Sequence, residues 1–103
     1  MNLATIISSL EQIETLSVYT VRAKESSVLP YGVFIYGSRE TFKADNKTFF
    51  DSGDPVSFEL YTKAKDLSLE AKVEKVFDEN EIPYDTDEAF DDGEQFYIKY
   101  YNF

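Results

Sequence analysis

Three short runs alternate in residue character with a period of two, and they constrain what this chain can fold into more than anything else in it. Tyr31, Val33 and Ile35 alternate with Gly32, Phe34 and Tyr36. Val56, Phe58 and Leu60 alternate with Ser57, Glu59 and Tyr61, and Phe96, Ile98 and Tyr100 alternate with Tyr97, Lys99 and Tyr101. Successive side chains of an extended backbone point to opposite faces, so each run predicts a strand. Val18, Thr20 and Arg22, alternating with Tyr19 and Val21, predict a further one. The run over 31–36 is apolar on both sides and reads as an interior strand. The run over 56–61 reads as a strand with one buried face.

Two stretches follow the helical period instead. Leu3, Ile6, Ile7, Leu10 and Ile13 share one face of a helix that Asn2 caps and that ends near Ser17. Leu69, Val73, Val76 and Phe77 form the apolar stripe of a second helix, with Asp66 as its N-cap, Asn80 as its C-cap and Pro83 as a barrier to continuation. On this helix Glu70 and Glu74 repel at a spacing of four, and Lys72 and Lys75 are near enough to relieve them. Helix, strands, helix and strands joined by short turns predict an α+β fold: a mixed, mainly antiparallel sheet with two helices packed on one face. At 103 residues the chain is expected to be a single domain over 1–103.

Composition removes most catalytic chemistries. The chain has no Cys and no His, which excludes thiolate nucleophiles, imidazole bases and the usual zinc ligand sets. Its glycines, Gly32, Gly37, Gly53 and Gly93, do not fall in a phosphate-cradling spacing. A formal net charge of −10 opposes binding to nucleic acid through phosphates. Residues 1–16 are interrupted by Ser8, Ser9, Glu11, Gln12 and Glu14 and do not read as a signal peptide, so a soluble cytoplasmic product is expected. No catalytic residue, cofactor or metal is expected, and a binding or structural role is the default.

The acids are unevenly spread. Residues 78–94 hold nine of them and no base, leaving eleven acids against ten bases elsewhere. Asp85 and Asp87 begin the alternation of a calcium loop, but Ala89 and Phe90 stand where a third ligand and a glycine are required. Asp85, Asp87, Glu88, Asp91 and Asp92 therefore read as a solvated acidic rim, or one that meets a basic surface.

The aromatic residues divide in two. Phe58, Phe77 and Phe96 are expected in the core. Tyr97, Tyr101 and Phe103 share the opposite face of the last strand with Lys99, and helices on one side only would expose them as a protein contact. Phe42, Phe49 and Phe50 flank Lys43, Asp45, Asn46 and Lys47 in a hairpin or projecting loop, a second candidate contact.

One ordered set of residues carries a resemblance: Tyr36-Gly37-Ser38, then Phe42-Lys43-Ala44-Asp45-Asn46-Lys47, then Phe58-Glu59-Leu60-Tyr61-Thr62-Lys63. Lys65-Asp66, Glu70, Val73 and Glu74, and Ile82-Pro83-Tyr84 continue it, so that it covers residues 3 to 101. The chain resembles a family of small proteins encoded in the head–tail joining region of long-tailed phages and prophages of Gram-positive bacteria, the tail terminator or tail completion proteins. The resemblance implies a homo-oligomer, a hexameric ring on the head-proximal end of the tail. Such a ring stops growth of the tail tube and meets both the tube protein and the head connector. It further implies assembly in the host cytoplasm, a final place in the virion, and no membrane. DNA would pass through the ring without specific binding, repelled by acidic segments lining the lumen. Two other readings remain: another head–tail connector or adaptor protein, and an acidic inhibitor or immunity-type protein that blocks a basic site. An enzyme using Asp or Glu with a bound metal is a third, weakened by the missing ligands.

Overall fold

The computed structural model describes residues 2–14, 16–20, 28–36 and 55–103. In chain order these hold α1 (Leu3–Glu11), β1 (Ser17–Thr20), β2 (Tyr31–Ile35), β3 (Ser57–Thr62), α2 (Leu67–Glu79), β4 (Asp85–Asp91) and β5 (Phe96–Asn102). The strands form one sheet in the order β1-β2-β3-β5-β4. β1 and β2 are parallel, and the other three pairs are antiparallel. Side chains of both helices pack with those of one sheet face in a single core. This is the α+β architecture that the periodicities predict. The segment holding Phe42, Phe49 and Phe50 lies outside the described residues.

Both helices begin where their capping residues place them. The Asn2 side chain accepts from the Thr5 amide at 3.2 Å, and the Asp66 carboxylate accepts from the Leu69 amide at 3.0 Å. In α1, Ile6 and Leu10 are fully buried, while Leu3 and Ile7, with Ile13 just beyond the helix, pack at the margin of the core. The helix stops at Glu11, well short of Ser17. The Gln12, Ile13 and Leu16 amides bond to the carbonyls of Ser9, Leu10 and Ile13, three residues back in each case. These tight turns reverse the chain and bring Leu16 into the core, so that Ser17 opens a strand instead of closing a helix.

The far end of α2 is closed by a Schellman motif. The Ile82 amide donates to the Phe77 carbonyl at 3.0 Å and the Glu81 amide to the Asp78 carbonyl at 3.1 Å. Asn80 is the C-cap, and its side chain donates to the Val76 carbonyl at 2.8 Å. The residue after it, Glu81, takes the left-handed conformation at φ 56°, which a Cβ disfavours. Replacing Glu81 by Gly is expected to raise stability by roughly 0.5–1 kcal/mol in urea unfolding. Glu81→Asn, which also removes the charge, should recover part of that gain.

Register places Phe34 opposite Phe58, and Phe58 opposite Tyr101. All three are fully buried beneath the helices, with Phe77 of α2 in contact at ring distances of 5.7 Å to Phe58 and 5.5 Å to Tyr101. The expected facing of β5 is therefore reversed. Tyr97, Lys99 and Tyr101 point to the helices, and Phe96, Ile98 and Tyr100 point away. Either set is apolar enough to be core, so alternation alone does not choose between them. Partners on the helix side favour the observed set, with Glu70 and Glu74 of α2 engaging Lys99 and the Tyr101 hydroxyl and the rings of Phe58 and Phe77 packing on Tyr101. Phe103 also turns inward, with its ring 5.4 Å from that of Phe77.

Gly32 is fixed by the same packing. A Cβ there would meet the ring of Phe58, with Cε1 only 2.6 Å away, so the strand needs glycine where the ring crosses it. Gly32→Ala should destabilise the protein by about 2–3 kcal/mol in urea unfolding. Combining it with Phe58→Leu should cost clearly less than the sum of the two single changes.

Candidate interaction surface

The helix side of the sheet meets its own electrostatic needs. Glu70 is buried, and Lys65 lies 3.0 Å and Lys99 3.7 Å from its carboxylate oxygens. Both lysines also reach Glu88 of β4, Lys65 by direct contact and Lys99 at 3.9 Å. Two carboxylates and two ammonium groups thus share one cluster between α2 and the sheet. Lys72 and Lys75, the expected partners of Glu70, lie on the exposed side of α2. The relief comes from residues distant in sequence. Glu74 accepts from the Tyr101 hydroxyl at 2.9 Å.

The acidic rim takes the form of an edge strand. Asp85, Asp87 and Asp91 lie on one face of β4, opposite Asn102, Tyr100 and Phe96 of β5, and Glu88 lies on the other face opposite Lys99. Asp92 sits in the turn that follows, which the Asp91 side chain holds by accepting from the Glu94 amide at 3.0 Å. Acidic residues are poor strand formers, and here pairing with β5 overrides that preference. Charge along an edge also deters pairing with other strands. Among the described residues no His, Cys, Asp and Glu group is arranged to hold a metal ion.

Away from the helices, the sheet presents a second aromatic surface. Tyr19 of β1, Tyr31 and Val33 of β2, Glu59 and Tyr61 of β3, Phe96, Ile98 and Tyr100 of β5 and Asp87 of β4 share this outer face. A row of ring contacts crosses four strands. Tyr19 meets Tyr31 edge-on at 6.1 Å, Tyr31 stacks on Tyr61 at 4.8 Å, and Tyr61 meets Phe96 edge-on at 5.3 Å. Neither helix covers this face, and its aromatic side chains are half-buried. Near its centre the Tyr61 hydroxyl donates to the Glu59 carboxylate at 2.7 Å.

Sequence reasoning found an aromatic sheet face but named the wrong members. Tyr101 is fully buried and has no surface to offer a partner. Tyr97 and Phe103 are half-buried on the helix side, with Tyr97 against Phe90 of β4. Tyr31, Tyr61, Phe96 and Tyr100 occupy the face that Tyr97, Tyr101 and Phe103 were expected to form. The signal that finds them is the row of aromatic residues at matching parity on neighbouring strands, read after the register is known.

A small open cleft of about 250 Å³ lies between the chain at Leu29 and Pro30 and the turn from Thr62 to Asp66. Two of its charged side chains are engaged elsewhere, Asp66 in capping α2 and Lys65 in the Glu70 cluster. Lys63 is exposed. No helix among the described residues is long and apolar enough to cross a membrane. Comparison with family models, curated proteins and solved structures finds no match to this chain.

The outer face also shapes how its tyrosines ionise. Burial, then the hydrogen bond and charge of Glu59, push the Tyr61 hydroxyl far above its ordinary value of 10.0. Tyr31 is raised by burial and then by Tyr19 and Glu59, and Tyr100 by burial and then by Glu59 and Asp87. In the core, burial and then the Glu74 hydrogen bond raise Tyr101 further. A hydroxyl with a raised value in the folded state contributes stability that is complete below the unfolded value, about 10. That stability is lost as the pH climbs above it. Of the eight tyrosines, Tyr61 and Tyr101 are expected to ionise only on unfolding. Absorbance at 295 nm should therefore show a final step coincident with loss of far-UV circular dichroism. Complete ionisation before that loss would contradict the assignment.

Proposed function

We propose that this chain is a virion assembly protein of a long-tailed phage or prophage, a tail terminator that acts by binding rather than by catalysis. It forms a six-membered ring on the head-proximal end of the tail tube, halts tube growth and joins the tube to the head connector. The observation that carries this reading is the two-sidedness of the sheet, with both helices on one face and, on the other, an aromatic surface that neither helix covers. A ring requires two unlike surfaces on each subunit, because its contacts run head to tail. The outer sheet face and the exposed back of α2, with Lys72 and Lys75, are unlike in both shape and charge. The resemblance of the ordered residues to the head–tail joining family supports the identity of the ring. Six copies of the acidic β4 edge lining the passage would let DNA through unbound. Assembly takes place in the host cytoplasm, and the ring stays in the virion.

Native mass spectrometry across a range of concentration and salt tests this, together with sedimentation on purified tail tubes. A discrete hexamer is expected, either free or bound at tube ends. A chain that stays monomeric in both settings and ignores tubes sinks the reading.

A further inference from the structure

We propose that the outer sheet face binds a cationic side chain, arginine or lysine, carried by a partner protein, and that Glu59 is the centre of that site. The proposal rests on the assembly reading only in taking the partner to be a protein.

β3 is the middle strand of the sheet, and Glu59 lies within it with Val33 on one side and Tyr100 on the other. Tyr61 holds one oxygen of the carboxylate from the same strand, and Tyr31 stacks on Tyr61 beside it. Asp87 follows Tyr100 across the sheet, with Asp85 and Asp91 along the same edge strand. A half-buried carboxylate loses hydration, and one hydroxyl donor offsets that loss only in part.

Elsewhere the fold answers such a need with ammonium groups, as the two lysines at Glu70 show. On the outer face, among the described residues, it does not. The cations among the described residues are Lys63, Lys65, Lys72, Lys75 and Lys99. Lys65 and Lys99 belong to the helix-side cluster, Lys72 and Lys75 to the exposed side of α2, and Lys63 to the turn beyond β3.

Charge complementarity selects the occupant. An arginine or lysine side chain gives Glu59 and Asp87 the charge they lack, and the surrounding tyrosine rings attract it through their quadrupoles. A purely apolar partner would strip water from both carboxylates and return nothing. An acidic partner, or nucleic acid, meets repulsion across the whole face.

Aromatic ¹H–¹³C NMR of the full chain tests this, with Ac-Thr-Arg-Thr-Arg-Thr-NH2 as the probe and Ac-Thr-Glu-Thr-Glu-Thr-NH2 as its control. The arginine peptide should shift the ring signals of Tyr31, Tyr61 and Tyr100 saturably, and the glutamate peptide should leave them in place. Glu59→Gln keeps an acceptor for the Tyr61 hydroxyl and should weaken the arginine peptide by at least about tenfold, with the circular dichroism spectrum unchanged. Shifts confined to the turn over 92–95, equal binding by Glu59→Gln, or absence of saturation would overturn the proposal. Rings that assemble on tubes while the tyrosine signals ignore the arginine peptide would overturn the cation site alone. Saturable tyrosine shifts in a chain that never assembles would overturn the tail reading alone.

Discussion

The ring of Phe58 is the contact on which the rest of the structure depends. It lies over Gly32, 4.7 Å from the ring of Phe34, 5.7 Å from Phe77 and 6.3 Å from Tyr101. These contacts tie β2, β3, β5 and α2 to one point. A slip of one residue in any strand would turn that strand's half of the cluster to the other face, so the cluster fixes register as well as burial. With register fixed, the parity of every other side chain in the sheet follows, including which tyrosines face outward.

Charge is handled differently on the two faces of the sheet. On the helix side, Glu70 and Glu88 share Lys65 and Lys99, and Glu74 takes the Tyr101 hydroxyl. Buried charge is tolerable there because each group has a partner within reach. On the outer face Glu59 has a tyrosine hydroxyl for company, and Asp85, Asp87 and Asp91 line the edge. Among the described residues, the carboxylates buried against the helices thus have ammonium or hydroxyl partners, while those of the outer face and the aspartates of the β4 edge have no ammonium group beside them.

Much of the fold was legible in the sequence because local rules and tertiary packing agree there. Asn2 and Asp66 cap the helices they precede, and the stripe of Leu69, Val73, Val76 and Phe77 is buried as its period requires. The failures fall where distant partners outvote local preference. β5 is aromatic on both faces, so partners more than twenty residues earlier, Phe58 and Phe77 with Glu70 and Glu74, decide which side turns inward. β4 is built from acids that disfavour strands and exists by virtue of β5. Glu81 occupies a left-handed position usually held by glycine, which no local pattern signals. The interaction surface suffered most from this, since an error of parity in one strand exchanged its members wholesale.

The sheet order also carries a consequence for how the chain is made. β5 sits between β3 and β4, yet it follows both in sequence. Before β5 is in place, α2 can form but β4 has no strand to pair with, and β3 keeps one open side. Synthesis must reach Phe96–Asn102 before the two halves of the sheet are joined. Until β5 pairs with it, the acids of β4 keep it hydrated and oppose pairing with other chains, so the edge that guards the finished sheet also guards the unfinished one.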